Sequence, residues 1–183
     1  MIVETEIDRL ESESFADIEA TLEGRVFDVT LREFFSRILV AGVIVPNQDG
    51  ALPTTFGSSA NSFFRNRGCV SVFDFRGPVT DEIKDFRRRC WPFRPALPRG
   101  GGIAMLIFDR ALERQLIPWS RWTEEAKLDR AVLSEMVVPH VEAGHPGPIS
   151  IHSVERVILL RVREDPSSIM AMMRNAMHPN SCG

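Results

Sequence analysis

The sequence predicts an α+β domain with a mixed or antiparallel sheet and N-terminal helices. Short apolar or alternating runs, typical of strands, outnumber the long helical patterns. The strands are not each followed by a helix, which argues against a doubly wound parallel sheet. The chain has 183 residues, of which 44% are hydrophobic, so one domain can bury a core without disulfides or metals.

Helical periodicity marks several segments. Residues 5–22 carry apolar side chains near helical spacing and predict an acidic helix that ends at Gly24. The apolar stripe over 31–39 predicts a second helix, capped by Thr30 and stopped by Gly42. Later helices are expected at 80–90, from Asp109 to Leu116, at 119–134 and, as an amphipathic C-terminal tail, at 166–177.

Strands are predicted where apolar and β-branched residues alternate or run together. The run 103–109 is almost wholly apolar, which is typical of a buried strand. The other predicted strands span 25–29, 43–45, 69–75, 137–142 and 156–162. Two long loops, 46–62 and 91–102, lie between strands, and loops of this length are often functional.

The charged residues are distributed unevenly along the chain. Of the 22 basic residues 20 are arginine, whose planar guanidinium suits phosphate and carboxylate. Residues 1–24 hold eight acidic residues and one basic residue, whereas residues 65–99 hold nine basic and four acidic residues. The acidic segment is interpreted either as a solubilising surface or as a shield or partner for a basic cleft.

The composition excludes several classes of protein. No run of 18 apolar residues is present, so no membrane-spanning helix is expected. The acidic first residues do not have the basic-then-apolar order of a signal peptide. Three cysteines without a CxxC pair argue against a disulfide framework or a cysteine zinc site. We therefore expect a cytoplasmic protein with no membrane role.

Arginines supply the first candidate site. Arg65, Arg67, Arg87, Arg88 and Arg89 are predicted to contact the phosphates of a ligand or of nucleic acid, the alternative being a solvated basic face. Cys90 follows Arg89 directly. The positive charge of the arginines beside it would lower the pKa of its thiol and favour a reactive thiolate. A small buried cysteine is the alternative interpretation of that position.

The segment HVEAGH (140–145) supplies the second candidate site. Its glycine and the flanking prolines prevent a helix that would bring both histidines to one face, and the spacing is not that of HExxH, so no metal site is expected. Glu142 is more informative, because it ends a predicted strand just before a Gly/Pro turn. A lone catalytic carboxylate can be positioned at such a place, the alternative being an ordinary glutamate at a strand edge.

Three segments carry a resemblance to a known family. They are VFDVTLREFFSRILVAGVIVP (26–46), CVSVFDF (69–75) and VVPHVEAGHPGPISIHSVERVILLRV (137–162). In layout the chain resembles ADP-ribosyltransferase-fold proteins over roughly residues 25–163. That group includes bacterial toxins that modify DNA or protein, RNA 2′-phosphotransferases and NAD-degrading toxins. The resemblance implies a split sheet and an NAD site.

The resemblance also implies roles for individual residues. Glu142 would be the catalytic carboxylate, Ser71 would support the NAD site and Thr30 would contact the adenosine side. Asp28 stands where the family has a histidine or arginine, so Arg25 or Arg32 would take over the phosphate contact. Because the chain contains no tyrosine, a His–Tyr–Glu site is excluded and an Arg–Ser–Glu-like site is expected.

The predicted function is therefore an NAD-using ADP-ribosyltransferase-like enzyme, acting as a bacterial toxin or phage-defence effector. Its organisation would be an acidic N-terminal helix (1–24), the transferase-like domain (25–163) and a C-terminal helix and tail (164–183). An antitoxin or target protein would be its partner. Two alternatives stay open: a non-catalytic immunity or regulatory protein on a degenerate version of this fold, and an arginine-rich nucleic-acid-binding module.

Overall fold

A computed structural model describes residues 2–56, 60–96, 102–168 and 172–173. Within these residues the chain forms a seven-stranded sheet, a two-stranded sheet and six α-helices. The large sheet has the order β1-β9-β5-β2-β4-β7-β6, and all neighbours are antiparallel except β1 and β9. The prediction of an α+β fold with a mixed or antiparallel sheet is confirmed, and the sheet is mixed and mostly antiparallel.

The elements have the following bounds. The strands are β1 (Val3–Leu10), β2 (Val26–Leu31), β3 (Val43–Ile44), β4 (Cys69–Asp74), β5 (Ile103–Phe108), β6 (Ile117–Pro118), β7 (Glu142–Pro146), β8 (Ile149–Ser150) and β9 (Val154–Arg163). The helices are α1 (Ala16–Leu22), α2 (Arg32–Ala41), α3 (Phe63–Asn66), α4 (Asp81–Arg89), α5 (Arg110–Glu113) and α6 (Ser120–Leu128). None of the helices in the described part of the chain is long and apolar enough to cross a membrane.

The core lies on both faces of the large sheet, because successive side chains of a strand point to opposite faces. On one face, Ile18 and Leu22 of α1 pack with Phe27 and Phe73. On the other face, Phe35 of α2 packs among residues of β5, β9 and the small β3–β8 sheet. The central strand β5 is buried along its whole length, as its apolar sequence predicts.

The sheet divides between β2 and β4. These strands pair only at Val26 with Asp74 and at Phe27 with Phe73. Beyond that end, β2 stays paired with β5 through Leu31, while β4 stays paired with β7 back to Cys69. The facing edges of β2 and β4 therefore separate, which leaves a gap between two halves of one sheet.

Several local predictions are confirmed by the ends of the helices. Gly42 ends α2 in the left-handed region at φ 69°. The Thr80 hydroxyl accepts a hydrogen bond from the Ile83 N–H at the start of α4, and Asp109 caps α5 in the same way. Thr30, in contrast, does not cap α2: it lies within β2, and Leu31 occupies the cap position.

The helix predicted over residues 5–22 is wrong in its first half. Residues 3–10 form β1, and only α1 is helical. In β1 the residues Val3, Thr5 and Ile7 alternate with acidic residues, a period of two that suits an edge strand better than a helix. Since β1 pairs with β9, the acidic N-terminal residues belong to the same sheet as residues 25–163.

Two further predictions are corrected. The strand predicted over 137–142 is wrong, because residues 138–141 form a turn and β7 begins only at Glu142. The predicted helix 119–134 is α6 followed by a separate 3₁₀ segment, Arg130–Ser134, which Asp129 caps. The tail helix predicted at 166–177 lies largely outside the described residues.

Candidate functional site

A cavity of about 410 Å³ lies where β2 and β4 separate. Apolar side chains from β2, β4, α2 and the loop after β3 form most of its wall. The polar and ionisable residues that line it are Asp28, Thr30, Asn47, Thr54, Thr55, Asn61, Ser62, Arg65, Cys69, Ser71, Cys90 and Glu142. The structure thus brings Thr30, Ser71 and Glu142, which the sequence analysis singled out separately, to one cavity, together with Asp28.

The Glu142 carboxylate is held by two hydrogen bonds. The Ser71 hydroxyl of β4 donates to Oε1, and the Val138 N–H donates to Oε2 at 2.9 Å. These donors come from the neighbouring strand and from the turn that precedes β7, so the carboxylate is fixed from two sides. Such an arrangement holds a carboxylate in one orientation toward the cavity.

The turn that leads into Glu142 has an unusual backbone. His140 adopts φ 59°, in the left-handed region that non-glycine residues seldom occupy. Its ring contacts that of Trp119, with centroids 4.4 Å apart, which holds the residue in place. The turn lets both Val141 and Glu142 donate from their backbone N–H groups to the Val138 carbonyl. Backbone strain of this kind is common beside functional groups.

Burial controls the ionisation of two groups at this end of the cavity. It raises the pKa of Glu142, against which the hydrogen bonds from Ser71 and Val138 favour the carboxylate. The pKa of the Cys90 thiol is raised as well, first by burial and then by the negative charge of Glu142. Of the two interpretations of Cys90, the thiolate favoured by neighbouring arginines is therefore wrong: Cys90 is held as a neutral thiol beside a carboxylate.

Asp28 contributes a second carboxyl group to the wall. Burial raises its pKa to about 6, although the Val29 N–H donates a hydrogen bond to it. Asp28 and Thr30 lie two residues apart on β2 and so share one face of the strand, and Thr30 is buried. Among the described lining residues the cavity therefore has two carboxyl groups, Asp28 from β2 and Glu142 from β7.

Arg65 lines the cavity and also braces the loop that follows β3. Its Nε donates to the Asn47 carbonyl at 2.6 Å, and its guanidinium packs against Gly50. The Asn47 side chain in turn exchanges two hydrogen bonds with the backbone of Leu52. This part of the cavity wall is therefore an ordered loop.

The other arginines of the sequence prediction do not line this cavity. Arg25 pairs with Glu155, and Arg32 pairs with Glu6. Arg67 pairs with Glu125 and Glu135, and its guanidinium lies over the Phe63 ring at 3.7 Å. Arg87 binds Glu23 and covers Phe75, while Arg88 and Arg89 pair with Asp85 on the surface.

Some residues of the cavity were not predicted as part of a site. Cys90 was predicted to be either a reactive thiol or a small buried cysteine, and Asn47 and Phe56 were not singled out. The length of the loop 46–62 was the available signal for the last two. Nothing in the linear sequence indicated that Cys90, 52 positions before Glu142, would lie near that carboxylate.

The described residues contain no group of three or more histidine, cysteine, aspartate or glutamate side chains placed to hold a metal ion. No protein-family model, curated protein or solved structure matches the chain.

Proposed function

We propose that the chain is an ADP-ribosyltransferase-like enzyme that breaks the bond between nicotinamide and ribose in NAD. The observation that carries the proposal is the fixed Glu142 carboxylate, which lines a cavity in the gap of a divided sheet and is held by Ser71 and Val138. In this proposal the protein acts as a toxin or phage-defence effector.

To catalyse this reaction, the protein mainly has to stabilise the positive charge that develops on the ribose. As the C–N bond breaks, the bonding electrons leave with nicotinamide, which becomes neutral, and the ribose carbon gains oxocarbenium character. An ionised Glu142 stabilises that positive charge, and a carboxylate already oriented in a mostly apolar cavity does so strongly. An acceptor nucleophile, or water, then forms a bond to the ribose carbon, and the proton it loses passes to solvent.

The pyrophosphate of NAD also needs a cation. Arg65 lines the cavity on the side of the loop 46–56 and offers a guanidinium for this contact. Arg25 and Arg32, which the resemblance put forward for the same role, are each engaged with a glutamate elsewhere. Arg65 is favoured for the phosphate contact by its position in the cavity wall, and its bond to the neutral Asn47 carbonyl leaves its positive charge in place.

A second candidate function is a non-catalytic binding protein on the same fold. Asp28 supports it, because a carboxylate in the cavity wall repels a pyrophosphate. The commitment of Arg65 to the Asn47 carbonyl supports it too. On this alternative the cavity binds a ligand without turning it over.

Incubation of the protein with NAD labelled in the ribose or the nicotinamide tests the proposal. Release of nicotinamide or transfer of label is expected, with a loss of at least about a hundredfold in Glu142→Gln. Glu4→Gln is the matched control, because Glu4 is exposed on β1. If the wild type shows neither hydrolysis nor transfer across a panel of protein and nucleic-acid acceptors, the enzymatic proposal is contradicted. The non-catalytic binding protein is then the favoured function.

A further inference from the structure

The Asp28 carboxyl group is half-buried in the cavity wall and has no counter-charge among the described residues. No described lysine, arginine or histidine forms an ion pair with it, and the adjacent Val29 N–H is the donor that favours its ionised form. A carboxylate withdrawn from water costs free energy unless it accepts hydrogen bonds from strong donors. A ligand that brings such donors would supply what the described residues do not.

The shape of the Asp28 carboxylate limits which hydrogen-bond donors of a ligand it can bind. A carboxylate only accepts, and its two oxygens are best matched by two N–H groups that lie side by side in a plane. Amidinium and guanidinium ions have this pattern, and so does the edge of guanine that presents its ring N–H and its 2-amino group.

The surroundings of Asp28 are those of a small-molecule pocket. Val72 of the facing strand β4 and Ile44 of β3 line the same cavity, and both belong to the apolar cluster on the face of the sheet to which Asp28 points. Apolar walls with a few fixed polar groups are typical of pockets for small molecules. The Thr30 hydroxyl, on the same strand face as Asp28, adds a hydrogen-bonding group that can donate or accept.

We infer that Asp28 and Thr30 form a subsite of the cavity for a planar nitrogen group that presents two adjacent N–H donors. The other ionisable residues among the described part of the cavity lining are Glu142, Arg65, Cys69 and Cys90. Asp28 and Glu142 supply two carboxyl groups against the single guanidinium of Arg65, so the wall around Asp28 attracts a donor-rich group and repels an anion. This inference concerns recognition and does not depend on the transfer reaction.

Binding of benzamidine and of guanosine, measured by calorimetry in the absence of NAD, tests the subsite. Benzamidine represents a cationic source of the paired donors, and guanosine represents a neutral base. Inosine is the comparison for guanosine because it lacks only the 2-amino group. We expect at least one of the two probes to bind, and inosine to bind about tenfold or more weakly than guanosine where guanosine binds.

Variants identify the residue responsible. Asp28→Asn keeps the shape of the side chain and is expected to weaken the bound probe about tenfold to a hundredfold, since it removes the ionised acceptor. Asp8→Asn, an exposed position on β1, is expected to leave the affinity unchanged. Dependence on Asp28 supports the subsite whichever probe binds. Failure of both probes to bind the wild type, or equal affinity in Asp28→Asn, overturns it, and neither result bears on the cleavage of NAD.

Discussion

The hydroxyl of Ser71 on β4 donates a hydrogen bond to the carboxylate of Glu142 on β7. The register of the two strands sets Ser71 opposite Gly144 and sets Phe73 opposite Glu142, so the pair is diagonal across one face of the sheet. Gly144 has no side chain, and the buried Phe64 ring occupies the space that a Cβ there would need. The orientation of the carboxylate thus follows from strand register and from the Val138 turn.

Ser71→Ala removes the donor that favours the ionised form of Glu142. The pKa of Glu142 is expected to rise further above its ordinary value, as followed by NMR titration of the labelled carboxyl carbon. The free energy of unfolding is expected to fall by about 1–2 kcal/mol at pH above that pKa and by less at pH below it, since only the carboxylate gains from the bond. Ser36→Ala, exposed on α2, is the control. An unchanged pKa in Ser71→Ala would contradict the role of this hydrogen bond.

Because of Asp28, the free energy of unfolding is expected to fall as the pH rises. An ordinary ion-paired carboxylate has the opposite effect. Its pKa is about 6 in the folded state and about 3.9 in the unfolded state. Between these values the folded state binds more protons, so stability falls as pH rises from 4 through 6 and is level above that range. We expect Asp28→Asn to be more stable than the wild type by about 2–3 kcal/mol at pH 8 and nearly equal to it at pH 4.

Urea unfolding of wild type, Asp28→Asn and Asp8→Asn at closely spaced pH values measures this difference. The curve of Asp8→Asn is expected to follow the wild type throughout. If Asp28→Asn and wild type differ by the same amount at pH 4 and pH 8, the carboxyl of Asp28 does not titrate in this range and the account is wrong.

The fold could be predicted where local sequence determines local structure. The apolar run of β5 and the helix ends at Gly42, Thr80 and Asp109 were found because each depends on a few adjacent residues. β1 was missed because residues 3–10 fit both an alternating and a helical pattern. Pairing with the edge of β9, 153 positions away in the chain, makes this segment a strand.

The candidate site was predictable only in part, for a related reason. Glu142 was singled out by its place before a Gly/Pro turn, and Ser71 and Thr30 by the family resemblance. The ion-pair partners of Arg67 and Arg87 could not be predicted, because each arginine pairs with acidic residues at least 58 positions away in the chain. Side-chain pairing of that kind depends on tertiary structure, and local charge density does not encode it.

Gly144 is expected to tolerate no side chain. A Cβ at this position would overlap the buried ring of Phe64, which packs under β7 from α3. Gly144→Ala should lower the free energy of unfolding by about 1–3 kcal/mol, because the core must shift to admit the methyl group. Gly77→Ala is the control, since a Cβ there meets nothing within 4 Å. Equal stability of the two variants in urea unfolding would show that the packing between Phe64 and β7 is looser than described.

Arg67 is expected to act inside the fold, although its position in the basic segment predicted a phosphate contact. Its guanidinium reaches Glu125 at 2.7 Å, Glu135 at 2.6 Å and the Phe63 carbonyl at 2.9 Å. A lysine has one charged nitrogen and cannot make these contacts together, so Arg67→Lys should lower the free energy of unfolding by about 1–3 kcal/mol. Arg88→Lys, at an exposed position on α4, should change it by less than about 0.5 kcal/mol.

Thermal unfolding compares the two variants, and the loss in Arg67→Lys should persist at 0.5 M salt, because partly buried pairs are screened less than exposed ones. A destabilisation that vanishes in salt would instead place Arg67 among the solvated surface charges and return it to the set of candidate phosphate contacts.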